Sequence, residues 1–157
     1  MSRITPNLWF DTEALEAAEF YVSIFPNSGI DHVTRYQEGG MREAGMVLTV
    51  EYHLDGQRMT NINGGPQFTF SEAVSFLIDC ADQAEVDHYW ERLTADGGEP
   101  GPCGWCKDRY GVSWQVVPAG IVEIMTGDPA RAQRAFGAMM SMSKLDLATL
   151  LAAADGA

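Results

Sequence analysis

Apolar and polar positions along this chain fall into two periods that alternate in a regular order. Ile4 to Phe10 sets Ile4, Leu8 and Phe10 against Thr5, Asn7 and Trp9, which predicts a strand, and Asp11 or Thr12 offers a cap for a following helix. Leu15, Ala18, Tyr21, Val22 and Phe25 then recur at helical spacing until Pro26, Asn27, Ser28 and Gly29 stop the pattern. Ile30 to Glu38 and Met46 to Leu54 are rich in β-branched and aromatic residues, with Gly39, Gly40 and Gly45 between them, and read as two strands. Asp55 and Gly56 carry a strong hairpin signal, predicting a return strand from Gln57 to Asn63 that Gly64, Gly65 and Pro66 end.

The order then restarts. A strand is expected from Ala73 to Cys80 and a helix from about Gln83 to Ala95, with Val86, Tyr89, Trp90 and Leu93 inward and Gly97 and Gly98 closing it. Short strands around Gly101 to Cys106 and Val112 to Pro118 flank a turn at Asp108 to Gly111. A shift of about 69 positions lays Glu16, Ala17, Phe20 and Tyr21 over Glu85, Val86, Tyr89 and Trp90, a faint internal repeat. Beyond Gly127, a helix over Asp128 to Met142, capped by Asp128 with Pro129 at its first position, precedes a shorter one over Leu145 to Ala154. Its stripe of Ala135, Phe136, Met139, Met140 and Met142 is expected to dock on the chain's own core. The fold class is therefore α+β, with a first βαβββ module over 1–66, a second module over 67–120 that is a contracted copy of it, and a helical extension over 121–157.

Composition narrows the classes. At 157 residues, 46% hydrophobic and 20% charged, the chain supports one well-buried core and argues against disorder. No apolar run reaches a membrane-spanning length and Met1 to Pro6 lacks the layout of a secretion signal, so a cytoplasmic protein without membrane association is expected. A formal charge of -12 opposes binding to nucleic acid. Three cysteines, Cys80, Cys103 and Cys106, suit a reducing compartment better than a disulfide scaffold.

The segments ITPNLWFD, EAAEFYVSIFPNS, VLTVEYHLDGQ, NGGPQFTFSEAVSF and DGGEPGPCGWCKDRYGVSWQVVP resemble the PhnB-like family. That family is also labelled 3-demethylubiquinone-9 3-methyltransferase-like and belongs to the glyoxalase, bleomycin-resistance and dioxygenase superfamily of vicinal-oxygen-chelate proteins. The resemblance implies paired βαβββ modules whose curved mixed sheets enclose a cleft, and a homodimer. It implies much less about activity, because this fold serves isomerases, dioxygenases, antibiotic-modifying enzymes and sequestering proteins.

Superfamily enzymes hold a divalent metal with His, Gln or Glu on the outer strands of each module. The resemblance places Gln115 and Ser75 at such positions, with Asn7 and Asn61 or Asn63 as counterparts, although a shift of one residue would turn any of them to the other face. A set of neutral amides and a hydroxyl lacks the charge that offsets dehydrating a divalent ion, so no metal site of the usual kind and no cofactor are expected. His32, His53 and His88 show no metal spacing and read as surface or edge residues. Cys103 and Cys106 form a lone CxxC in a Gly- and Pro-rich loop, without the second pair a zinc knuckle needs; Cys103 is a candidate for a pocket mouth.

Trp9, Trp105, Trp114, Phe68, Phe70 and Tyr110 are candidates to wall a cleft, with Trp114 read rather as core. Trp105 lies beside Lys107 and Arg109, which would suit an anionic or aromatic ligand. No glycine-rich strand-to-helix turn fit for S-adenosylmethionine follows any predicted strand, which argues against methyl transfer despite the family label. The leading expectation is a metal-independent small-molecule binder using Asn7, Trp9, Asn61, Asn63, Ser75, Trp105 and Gln115. The alternatives are a metal-dependent enzyme with a non-standard ligand set such as Glu51, His53 or Asp79, and a structural dimer with a closed cleft. No catalytic residue is assigned.

Overall fold

A computed structural model describes residues 3–157, which divide into two compact units, one ending at Thr69 and the other beginning at Phe70. In the first, strand β1 (Asn7–Phe10) leads to helix α1 (Ala14–Val22) and strands β2 (Gly29–Arg35), β3 (Val47–Leu54) and β4 (Gln57–Asn63). They form one sheet in the order β1-β4-β3-β2, with β1 parallel to β4 and the other pairs antiparallel. Leu8, Phe10, Val50, Tyr52, Leu54 and Met59 are buried on one face, and α1 buries Ala14, Ala17, Ala18 and Tyr21. The alanines let the helix backbone approach the sheet closely, while Tyr21 fills the remaining depth. The hairpin expected at Asp55 and Gly56 forms as a two-residue turn with both at positive φ, 45° and 77°, and Leu54 pairs with Gln57.

The cap of α1 differs from expectation. Neither Asp11 nor Thr12 caps the helix; Glu13 occupies the cap position without a side-chain cap bond, and the Ala14 N–H is satisfied by Asn63 Oδ1 at 2.9 Å, from the sheet. Strand β2, at the sheet's edge, carries register shifts between Ile30 and His32 and between Thr34 and Arg35.

The second unit repeats the order: β5 (Ser75–Cys80), α2 (Gln83–Thr94), β6 (Glu99–Pro100), β7 (Trp105–Lys107) and β8 (Ser113–Pro118), in the sheet order β5-β8-β7-β6. Again the first strand runs parallel to the last. The faint repeat in sequence matches this duplication, since Ala17 and Val86, like Tyr21 and Trp90, are buried at equivalent places on α1 and α2. The strand expected over Gly101 to Cys106 is instead two short strands around a turn. Cys103 and Gly104 take positive φ, 56° and 82°, and the Trp105 N–H donates to the Pro102 carbonyl.

Helices α3 (Ile121–Thr126), α4 (Pro129–Met139) and α5 (Leu147–Asp155) complete the unit. Asp128 caps α4 as expected, accepting from Arg131 N at 2.9 Å. Helix α3 has no counterpart among the sequence expectations: six residues between Gly120 and Gly127 are too short for a helical period to show. The extension docks on the second module, as Ile121, Leu145 and Leu150 cluster with Val117, Met139 and Met142, and Gln83 bonds both Leu145 O and Leu147 N. The predicted stripe is only partly used. Ala135 is buried, but Phe136 and Met140 are 52% and 56% exposed.

Candidate functional site

Strand register decides which side chains each sheet turns away from its helix. Leu8 pairs with Asn61 and Phe10 with Asn63, so these four share the face under α1, and Asn7 and Trp9 share the opposite face with Thr60 and Ile62. Asn61 and Asn63 are accordingly 0% and 1% exposed, and their amides are consumed internally. Asn61 accepts from Tyr52 Oη at 2.9 Å and donates to Ala14 O at 2.9 Å, and Asn63 accepts from Ala14 N and donates to Val47 O at 3.0 Å. Both asparagines, expected to line a ligand cleft, instead clamp the first turn of α1 to the sheet. The one-residue alternation of a strand is the physical reason: Asn7 on β1 and either of these asparagines on β4 cannot face the same side.

Trp9 is half-buried and tied down. Its Nε1 donates to Gly65 O at 2.8 Å, its ring meets Phe68 edge-on at 5.0 Å, and it lies so close over Gly64 that a Cβ there would come within 2.2 Å of it. Asn7 beside it is exposed.

In the second unit the register brings the expected residues together. Ser75, Leu77, Ser113, Gln115, Trp105 and Lys107 occupy one face, and Cys80, Trp114, Val116 and Cys106 are buried on the other. Gln115 Nε2 donates to Ser75 Oγ at 2.9 Å, and Trp105 pairs directly with Gln115 across the β7–β8 ladder. Trp114 is core, its Nε1 donating to the buried Asp108 Oδ2 at 2.9 Å and its ring packing against Phe76 at 5.2 Å.

Beside this pair lies a cavity of about 420 Å³ lined by Trp105, Lys107, Glu72, Glu99, Ser113 and Cys106, with Pro100 to Pro102 at its edge. Ser75 and Gln115 adjoin it through Trp105 without lining it. The sequence reading missed Glu72, Glu99 and Ser113. Ser113 was legible, because it stands two residues before Gln115 on the same strand and so shares its face. Glu72 precedes β5 in a segment with no period to read.

The cations that follow Trp105 are each paired with a carboxylate, which weakens the expected attraction for an anion. Lys107 Nζ lies 2.5 Å from Glu72 Oε1, and Arg109 binds Asp96 at 2.7 Å. The Lys107 hydrogen bond holds the Glu72 carboxyl below its usual range, and the same contact raises Lys107. Cys106, rather than Cys103, borders the cavity, with its side chain buried on the opposite face of the sheet, and burial pushes its thiol up to about 12, as burial and then the charge of Glu85 do for Cys80. Such thiols stay protonated and poorly nucleophilic. Cys103 sits on the turn with its Sγ 3.6 Å from Met140 Sδ.

The metal set of the superfamily does not fit these residues. The corresponding positions offer Asn7, exposed, and Ser75 and Gln115, bonded to one another, and none is a carboxylate or imidazole. Of the alternative ligands, His53 Nδ1 meets Asp31 Oδ1 at 3.0 Å, and Glu51 and Asp79 are exposed on their strands. Among the described residues, no three His, Cys, Asp or Glu side chains gather where they could hold a metal ion. Nor is any helix among them long and apolar enough to cross a membrane.

Two βαβββ units, each with its first strand parallel to its last, define a protein of the vicinal-oxygen-chelate fold. The chain belongs to the 3-demethylubiquinone-9 3-methyltransferase family, whose model matches residues 2–117. It is 33% identical to a solved structure from Bacillus cereus, described as a putative 3-demethylubiquinone-9 3-methyltransferase, PhnB protein. That match covers 75% of this chain and all of the other, with a TM-score of 0.68. A second similar structure, the protein PA1353 from Pseudomonas aeruginosa, is 16% identical over 75% of this chain and 98% of its own, with a TM-score of 0.62, a likeness of fold alone. Among curated proteins nothing matches.

Proposed function

We propose that this PhnB-like protein binds a small organic molecule in the cavity of its second unit, with Trp105 as the wall that recognises it and no metal in the site. The observation that carries this reading is the cavity itself: about 420 Å³, within the range of small-molecule sites, and walled by a half-buried indole beside a serine hydroxyl and the charged groups of Glu72, Glu99 and Lys107. Ser75 and Gln115 support it by bonding each other on the same sheet face as Trp105, which fixes the Gln115 amide beside the indole's strand. Asn7 and Trp9 extend the reading to the equivalent face of the first unit, where Trp9 is the weaker candidate because its indole N–H is already committed.

A screen of small aromatic compounds by saturation-transfer NMR on the full chain is expected to give binders that Trp105→Ala weakens about tenfold, the worth of a lost ring contact. If every binder found is indifferent to Trp105→Ala, or none is found, the reading fails. The same reading includes a cytoplasmic homodimer, supported by the family resemblance and by the edge position of β5, where Leu77 is 53% exposed. Light scattering on the purified chain should return twice the 17.2 kDa chain mass, and a monomer mass would remove the dimer.

A further inference from the structure

The chemistry of the second-unit cavity narrows what it would hold, an inference that rests on the binding role proposed above. Its wall carries two carboxylates, Glu72 and Glu99, against one ammonium, Lys107. Glu72 takes Lys107 directly at 2.5 Å, and Glu99 stands opposite Lys107 across the β6–β7 ladder, so the wall keeps one negative charge in excess. Arg109 does not offset it, being bound to Asp96, and the formal charge of -12 over the chain adds a long-range field of the same sign.

A second, independent observation is Ser113. It lines the cavity, is 1% exposed, and its Oγ has no hydrogen-bond partner among the described residues. A buried hydroxyl left in this state costs free energy that a ligand atom recovers by bonding to it after a turn about the Cα–Cβ bond. Trp105 and Lys107 alternate with Cys106, so the indole ring and the charged rim are presented on one face, with Ser113 paired to Lys107 on the neighbouring strand.

We propose that this cavity takes a compact aromatic amine, its ring against Trp105, its ammonium group against Glu99, and a polar atom of the ligand bonded to Ser113 Oγ. A cation gains from the indole face as well as from the carboxylate, whereas a carboxylate ligand would meet Glu99 and find Lys107 already occupied.

Three probes of matched shape test this on the full chain at low salt by calorimetry: tyramine, which is cationic, tyrosol, which is neutral, and 3-(4-hydroxyphenyl)propionate, which is anionic. Tyramine is expected to bind about tenfold more tightly than tyrosol, with the propionate weakest, and Glu99→Gln should close the gap between the first two. Ser113→Ala should weaken tyramine about tenfold while raising the melting temperature of the ligand-free protein, the reverse of losing a structural hydroxyl. If tyrosol or the propionate binds as well as tyramine, with binding still dependent on Trp105, the charge preference is wrong and the binding role stands. If none of the three binds in a Trp105-dependent way while the aromatic screen still returns Trp105-dependent binders, the amine proposal falls and the binding role stands; if the screen returns none either, both fall. A Ser113→Ala protein that melts lower and binds tyramine unchanged would remove Ser113 from the site.

Discussion

Replacing Asp108 with alanine is expected to destabilise the protein by about 3 to 4 kcal/mol, because hydrogen bonds to a buried charged acceptor are worth roughly 1.5–3 kcal/mol each and several vanish together. Asp108 is 2% exposed. Its Oδ1 accepts from Tyr110 N at 2.9 Å and Val112 N at 3.1 Å, and its Oδ2 from Trp114 Nε1 at 2.9 Å. One carboxylate thereby shapes the turn between β7 and β8 and pins one of the two buried tryptophans of the second unit. Asp108→Asn should recover about half the loss, since its carbonyl still serves the two amides while its NH₂ faces the indole N–H as donor against donor. Guanidinium unfolding of both variants measures this, and an alanine variant within about 1 kcal/mol of the parent would contradict it. Because Trp105, Lys107 and Ser113 flank that turn, the alanine variant should also lose cavity binding.

The second large effect is expected at Asn63. Asn63→Leu leaves the buried Ala14 N–H and the part-buried Val47 carbonyl without the partner they share, at a cost of about 2 to 4 kcal/mol. Ordinary helices are capped by a neighbour in sequence; here the cap comes from a strand 49 residues away, so losing it loosens α1 and the sheet together. Hydrogen exchange should show the first turn of α1 losing protection ahead of its last. Exchange that stays uniform along the helix, with unfolding unchanged, would show that Asn63 is not the clamp.

These two residues mark where the sequence was readable. The hairpin at Asp55 and Gly56, the cap at Asp128 and the restart of the strand-then-helix order after Pro66 follow from local chemistry, and all are present, whereas α1 stops at Val22, four residues before the Pro26 that was expected to end it. The roles of Asn61 and Asn63 were not legible, because an asparagine on a strand carries the same letter whether it faces a ligand or a helix terminus, and only the pairing of Leu8 with Asn61 decides. The site in the second unit was half legible. Trp105 and Gln115 were found by resemblance, and Ser113 by alternation was within reach. Glu72 and Asp96 reverse the electrostatic expectation from Lys107 and Arg109, and they do so through contacts distant in sequence, Glu72 with Lys107 and Asp96 with Arg109, that no spacing announces.

The parallel partnership of each module's outermost strand with its final one bears on how the polypeptide matures. Among the described residues Asn7–Phe10 has no sheet neighbour except β4, and Ser75–Cys80 none except β8; Asn7 pairs with Thr60 and Ser75 with Ser113, so the opening strands wait for 53 and 38 further residues of synthesis before they can be stitched in. The pairing that completes each sheet therefore closes a longer stretch of chain than the antiparallel hairpins inside it, and is available to the nascent chain only after them.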